Sequence, residues 1–379
     1  MMRWWQAFSR TLTGLLTRPM WLLLMVSLCL MSMIYARGSV WDLPVAVVDM
    51  DHSRASYRIA RDLGATAKID TIHYDRLPAA LRDLGWRRLF AVVILPQDLE
   101  KKILAGKAVT IPVYGDATNR LAGGQIQMDV TAAYQQLVAD YQQKRLQLSG
   151  MDATRAAALN APFIGQTQDV FNPGIGFAAI IFPGLLIMLL QHSLLLASTR
   201  INLMLRARGP LPLAEVLGTL SALLPIWLFL SAILYLLWPW VMGYRQTGSV
   251  TAVLGLTFAF LLAVLGLGKL LTECLDRTEH IYLTLSFVTT PVYYLSGTLF
   301  PLQSMPVWVS VFSHLLPSTW AVQVLASVNQ MGLPWQHTLP KVGVLLLMGP
   351  CYALLGVGVG RWRQRRRDRR AARRVPPLT

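Results

Sequence analysis

Between His280 and Pro340 the chain has no Lys, Arg, Asp or Glu. A soluble domain keeps a polar face on its surface elements, and a run this long without formal charge leaves nothing to hold one in water. Charge is scarce elsewhere too: charged residues make up 14% of the sequence, against roughly a quarter in average soluble domains. Cysteine is almost absent. Cys29, Cys274 and Cys351 stand apart, without a CxxC pair or a Cys/His cluster, so neither a disulfide framework nor a thiolate metal centre is expected. All three lie in or at the end of apolar segments and read as small buried apolar residues. Charges inside those segments are also nearly missing. That argues against an ion- or proton-driven carrier, which stations carboxylates or histidines at mid-membrane. His192, beside Gln191 and Ser193, reads as a packing and hydrogen-bonding residue rather than a proton relay.

What is present fits a lipid environment. Apolar residues make up 54% of the 379 positions, and the formal charge is +16. Nine arginines crowd between Arg361 and Arg374, directly after an apolar segment, and most other cations edge such segments. This is the positive-inside pattern of a membrane protein, and no nucleic-acid recognition motif accompanies it. No nucleic-acid partner is expected. The arginine run reads as a topology anchor, with anionic lipid or an acidic partner surface as its alternative ligand.

The uncharged stretch exceeds the about 20 residues of one span and is interrupted by Pro301, Pro306 and Pro317. It reads as a helix crossing the bilayer, a turn over 295–301, and broken half-helices over 301–340. The remaining chain fits around this hairpin. Residues 1–19, with Trp4, Trp5, Phe8 and Leu12 among Arg3, Arg10 and Arg18, predict an amphipathic interfacial helix. Residues 20–36 predict an uncleaved first span with the amino end inside. From 37 to 173 the composition becomes that of a soluble α/β domain. Strands are expected over 43–48, 67–74, 90–95 and 109–114, alternating with helices from Ser53 as N-cap, over 77–84 and over 97–104. A long helix is expected over 122–148 and a short one over 153–160. Within 174–361, spans are expected at 174–197, 213–240, 250–271, 281–300 and 342–360, with a basic tail over 362–379. The fold class is an α-helical integral membrane protein with six transmembrane helices, plus an external α/β domain inserted between helices 1 and 2. Six spans place both termini in the cytoplasm, and Trp238, Trp240, Trp308 and Trp320 in an outer aromatic belt.

Two motifs touch on catalysis. Asp49-Met-Asp51-His-Ser53 follows an apolar strand, as in aspartyl-phosphate phosphatases, where one carboxylate attacks phosphorus and the other handles the proton. Its plainer reading is a strand-to-helix turn whose side chains satisfy free backbone groups. Gly266-Leu-Gly268-Lys269 lacks the GxxxxGK[ST] spacing of a phosphate loop, and Lys269 reads as a span-end lysine beside Glu273. The sequence therefore offers no catalytic residue, metal site or cofactor of its own.

The order of these features resembles the ABC-2-type export permeases across essentially the whole chain. "VVDMDHSRAS" resembles the start of that family's external domain. "YLSGTLFPLQSMPVWVSVFSHLLPSTWAVQVL" resembles its segment between spans five and six, with Gly297, Phe300, Pro301, Met305, Pro306 and Pro317 at matching places. The resemblance implies a permease of the bacterial inner membrane that uses a cytoplasmic ATP-binding subunit and a second permease chain, with a periplasmic adaptor in a Gram-negative envelope. It makes the loop with Arg200, Arg206, Arg208 and Glu215 the coupling contact to the ATPase, and the six matching residues an outer gate. The loop departs from the family by lacking a carboxylate before Glu215, so its coupling contact is altered. A non-transporting envelope scaffold, recruiting partners through the external domain, is the alternative.

Overall fold

The computed structural model describes residues 2–17, 20–34, 43–65, 69–105, 107, 109–115, 126, 130–131, 135, 139–140, 142–143, 146–152, 154–155, 177–244, 246–275 and 278–372. The chain divides into two compact units, one formed by residues 1–38 and 170–379, the other by residues 39–169.

The second unit is a four-stranded sheet with helices on both faces. It runs β1 (Leu43–Asp49), α3 (Arg54–Gly64), β2 (Ile69–His73), α4 (Leu77–Gly85), β3 (Ala91–Leu95), α5 (Leu99–Leu104) and β4 (Val113–Gly115), following helices α1 (Met2–Leu16) and α2 (Met20–Ile34) of the first unit. The strand order is β2-β1-β3-β4; β1 pairs in parallel with β2 and β3, while β4 runs antiparallel to β3. The unbroken apolar run of β1 is what a strand covered on both faces requires. Val45 and Val47 pack with Ile59 and Leu63 of α3 and Leu99 of α5, and Ala46 and Val48 face Ala80 on α4. Each such buried aliphatic side chain contributes roughly 1.5–3 kcal/mol. The fourth strand is shorter than expected, three residues from Val113. Most of the expected helices over 122–148 and 153–160 lies outside the described residues, although Ile126 and Val130 are buried in the α3 core.

The first unit is helical. Helix α1 (Met2–Leu16) lies on α7 (Leu213–Ser221), where Gly218 leaves room for the Trp4 carbonyl. Helix α2 (Met20–Ile34) buries Leu28, and its Ser32 accepts a 2.6 Å hydrogen bond from Trp238. Helix α6 (Phe177–Arg208) is 32 residues long and outruns its expected end at Ala197. Ile201, Leu203, Met204 and Leu205 keep an apolar face on the core, so nothing stops the helix until Gly209, at φ +73°, and Pro210. The third apolar segment is broken rather than smoothly kinked. After α7, α8 (Leu223–Ala232) restarts at a break beside Pro225, which has no N–H to offer the Ser221 carbonyl. A π-helical turn (Ile233–Leu237) and α9 (Trp238–Val241) complete it.

Helix α10 (Val250–Cys274), capped by Ser249, carries Phe260 at the centre of the core. Then follow α11 (Thr278–Leu295), α12 (Val307–His314), α13 (Pro317–Asn329) and α14 (Leu339–Ala372). Proline supplies the N-cap of α12 and the first residue of α13, positions where its lost N–H costs nothing. The two helices diverge by 82°. Glycines bring α10 and α14 into backbone contact, Gly266 meeting Gly349 and Gly356 meeting Leu270, while Gly360 makes room for the Glu273 side chain. The basic segment after Gly360 is helical through Ala372 rather than a separate tail. Among the described residues, four helical stretches are long and apolar enough to cross a membrane, or five if α12 and α13 count as one bent span. Helices α2 and α11, of 15 and 18 residues, are not among them.

Candidate functional site

Two ends of the helical unit gather the residues singled out in the sequence. At one end, α6 and α10 finish beside the Gly360–Arg363 turn of α14, which runs on to Ala372, and α11 begins. The expected loop over Arg200 to Arg208 is the last part of α6, so its arginines stand on a rigid element. Arg200 Nε donates to the Tyr282 hydroxyl at 2.8 Å, with the guanidinium 5.7 Å from the ring centre. Arg206 donates to the Thr272 carbonyl at 2.9 Å, and Arg363 of α14 donates to the Cys274 carbonyl at 2.7 Å. Both guanidinium groups thereby sit at the negative end of the α10 dipole, on carbonyls left over by the helix terminus. Lys269 and Glu273 form a 2.5 Å ion pair one turn apart on α10, with Glu273 buried against Gly360. Arg208 is exposed, and Glu215 lies half-buried in the first turn of α7. The structure thus divides the four residues expected to form the coupling contact: Arg200 and Arg206 bond to other helices of the bundle, whereas Arg208 and Glu215 border the turn between α6 and α7.

At the other end, α6 and α10 begin and α11 and α13 finish. Gly297 has φ +86°, and Leu302 leaves no room for a side chain there. The turn it makes places Thr298 against Gly184 of α6, where a Cβ would collide. Phe300 is exposed. Met305 receives a 3.9 Å contact from the Ser313 hydroxyl, tying the turn to the last residues of α12. At the bend, Trp320 Nε1 donates to the His314 carbonyl at 2.8 Å, and the Tyr352 hydroxyl donates to the Leu315 carbonyl. Gly297, Pro301, Met305, Pro306 and Pro317 therefore shape one bent segment, and the half-buried Trp320 ties α13 back to the end of α12. His192 Nδ1 lies 2.9 Å from the Thr289 hydroxyl. That hydroxyl donates to Leu285, so Nδ1 is assigned as the donor, and the histidine links α6 to α11.

The Asp49–Ser53 turn holds the α/β unit together. Asp49 accepts the backbone N–H groups of Asp51 and His52, at 2.9 and 3.0 Å, and the Ser56 hydroxyl at 2.7 Å. Ser53 and Ser56 close a reciprocal capping box on α3. Asp51 accepts from the Leu99 and Glu100 amides, both at 3.1 Å, and so caps α5. Burial alone would raise the Asp51 carboxyl, but hydrogen bonds from Ser53, Glu100, Leu99 and Asp98 together hold it below the ordinary carboxylate value. Both carboxylates are engaged in structural hydrogen bonds, Asp49 to two backbone amides and the Ser56 hydroxyl and Asp51 to the start of α5, as the strand-to-helix turn reading expects. Among the described residues no group of His, Cys, Asp and Glu is placed to hold a metal.

Sequence reasoning missed the Asp51 cap, the Arg206 and Arg363 caps and the glycine contacts. Each joins residues far apart in the chain, and only the small size of the glycines signalled close approach.

Residues 20–357 match the model of a family described as ABC-2 family transporter protein. The chain is 24% identical over 331 residues to the inner membrane transport permease YhhJ of Escherichia coli (strain K12), covering 83% of this chain and 84% of that one. It is 19% identical over 330 residues to the probable multidrug ABC transporter permease YbhR of the same organism, covering 83% and 86%. It is 23% identical over 337 residues to ABC transporter G family member 20 of Dictyostelium discoideum, covering 85% of this chain and 45% of that protein.

Proposed function

Because this chain belongs to the ABC-2 transporter family, we propose that it is the permease subunit of an exporter driven by a separate cytoplasmic ATP-binding subunit. The lack of a phosphate loop supports the separate ATPase. In this reading α2 and α11 join the long helices to make six spans, both termini are cytoplasmic and the α/β unit is periplasmic. The arginines where α6 and α10 finish beside α14 support that orientation by the positive-inside rule. A second permease chain, identical or not, completes the path, and a periplasmic adaptor is a possible further partner through the α/β unit. Cargo moves outward.

One observation carries the coupling step. Arg206 and Arg208 are both exposed, but Arg206 is engaged on α10, so a partner pressing on the α6–α7 turn meets Arg208 and Glu215. Those side chains stand on helices already fixed to the bundle, and a push there is transmitted to α10 and α14. The segment from Gly297 to Pro317 forms the outer gate, reaching from the opposite end toward mid-membrane.

The test is reversal of Arg208 and Glu215 to Arg208→Glu and Glu215→Lys in the full chain. Loss of the ATP-binding subunit on co-purification, with normal membrane insertion, is the expected result. Absence of any ATP-binding subunit from the wild-type purification, with export unaffected by the reversal, would instead favour a non-transporting envelope scaffold.

A further inference from the structure

The Gln330 side chain donates to the Ala179 carbonyl at 3.2 Å, so the end of α13 is level with the beginning of α6. Twelve residues separate Gln330 from Ser318 on α13, and twelve separate Ala179 from Gln191 on α6. At 1.5 Å per residue both Ser318 and Gln191 lie about 18 Å from that end. Tyr352, which bonds the carbonyl of Leu315 just before α13, lies about 20 Å along α14 by the same measure. A hydrocarbon core is about 30 Å thick, so the first turn of α13 stands close to its middle.

Three side chains at this depth are buried with hydrogen-bonding capacity unused. Ser318 is 2% exposed, Thr319 0% and Gln191 7%. The Ser318 and Thr319 hydroxyls and the Gln191 carbonyl oxygen have no partner among the described residues. Leu316, the N-cap of α13, contributes no side-chain bond to the helix start either. Helices α6 and α13 pack on each other, and the chain bends by 82° between α12 and α13, directly before Ser318. In an apolar interior, polar groups held without partners are strongly unfavourable, and several at one depth of two packed helices call for a ligand from outside the chain.

The chemistry of that ligand follows from what surrounds it. No Lys, Arg, Asp or Glu occurs from Phe177 to Thr199 of α6, or from His280 to Pro340. A charged group here would lack a counter-charge in a low-dielectric interior. Two hydroxyls and an amide instead suit a group that both accepts and donates hydrogen bonds. The positive end of the α13 dipole adds a preference for oxygen lone pairs. We infer that Gln191, Ser318 and Thr319 form a mid-membrane binding site for the uncharged, hydroxyl-bearing head group of an amphiphile, entered at the α12–α13 bend. The inference rests on the chain lying in a bilayer and not on its pairing with an ATPase.

The test measures binding of radiolabelled n-hexyl β-D-glucoside to the full chain in phosphatidylcholine nanodiscs by equilibrium dialysis. A saturable component is expected, displaced by unlabelled glucoside but not by n-hexyl sulfate or n-hexyltrimethylammonium at equal concentration. Combining Ser318→Ala with Thr319→Val should raise Kd at least tenfold, while Thr319→Ser, which keeps the hydroxyl, should stay within about threefold. If the double variant fails to insert, Gln191→Met must weaken binding from the opposite helix. No saturable component, equal displacement by the charged amphiphiles, or an unchanged Kd in an inserted hydroxyl-free variant would overturn the site. None of these readouts requires ATP or a partner chain, so a failed ATPase co-purification leaves the result intact.

Discussion

Asp51 closes the first turn of a helix that begins 48 residues further along the chain. Its partner could not be read locally, whereas the Ser53 cap of α3 could, because capping residues and their targets lie three positions apart. Asp51→Ala should cost about 1 kcal/mol at neutral pH, as the loss of a capping side chain does. The sign of its pH dependence follows from the lowered carboxyl. A depressed native value stabilises the fold above the unfolded value, about 3.9, and that contribution disappears as pH falls through the native value. Urea unfolding of the α/β unit should therefore separate wild type from Asp51→Ala at pH 7, and the gap should narrow below about pH 4. Arg206 and Arg363 belong to the same scale. Replacing either with Gln should destabilise the helical unit by roughly 0.5–2 kcal/mol, seen as a lower unfolding temperature of the detergent-solubilised chain. Arg208→Gln should leave that temperature unchanged. Equal losses at all three positions would contradict the division of roles among them.

At the scale of elements, proline and glycine were the legible marks. Pro306 and Pro317 announced the starts of α12 and α13, and Gly209 with Pro210 marks where α6 stops. The continuation of α6 past Ala197 was hidden because charges interrupt the apolar run, although its core-facing stripe persists through Leu205. Hydropathy sees the membrane and not the helix. The 82° divergence of α12 and α13 was equally hidden, since proline fixes where a helix begins but not its direction. Packing between α10 and α14 yields the element-scale prediction. Gly266→Leu or Gly349→Leu must push two backbones apart, and overpacking costs typically 1–3 kcal/mol. Lower yield of folded chain after detergent extraction is expected from either. Gly343→Leu, with open space around that glycine, should extract normally.

For the whole molecule, composition carried most of the information. A charge-poor chain with one near-neutral insertion announced a membrane protein with an α/β domain, because lipid and water impose different alphabets. The number of crossings was less legible, since α2 and α11 are short and a bent pair blurs the count. In a cysteine-free background, Asp98→Cys should react with an impermeant maleimide added to cells with a permeabilised outer membrane. Arg208→Cys should react only after the inner membrane is opened. Labelling of both from the same side would contradict the six-span orientation.

The glycine contacts from Gly266 to Gly356 also have a mechanical meaning. Where two helices touch backbone to backbone, no side-chain rotamer is available to absorb sliding between them, and an arginine fastens their lower ends. Helices α10 and α14 then behave as a single strut. Any opening of this protein has to be accommodated at joints elsewhere: the break beside Pro225, the π turn and the bend ahead of Pro317.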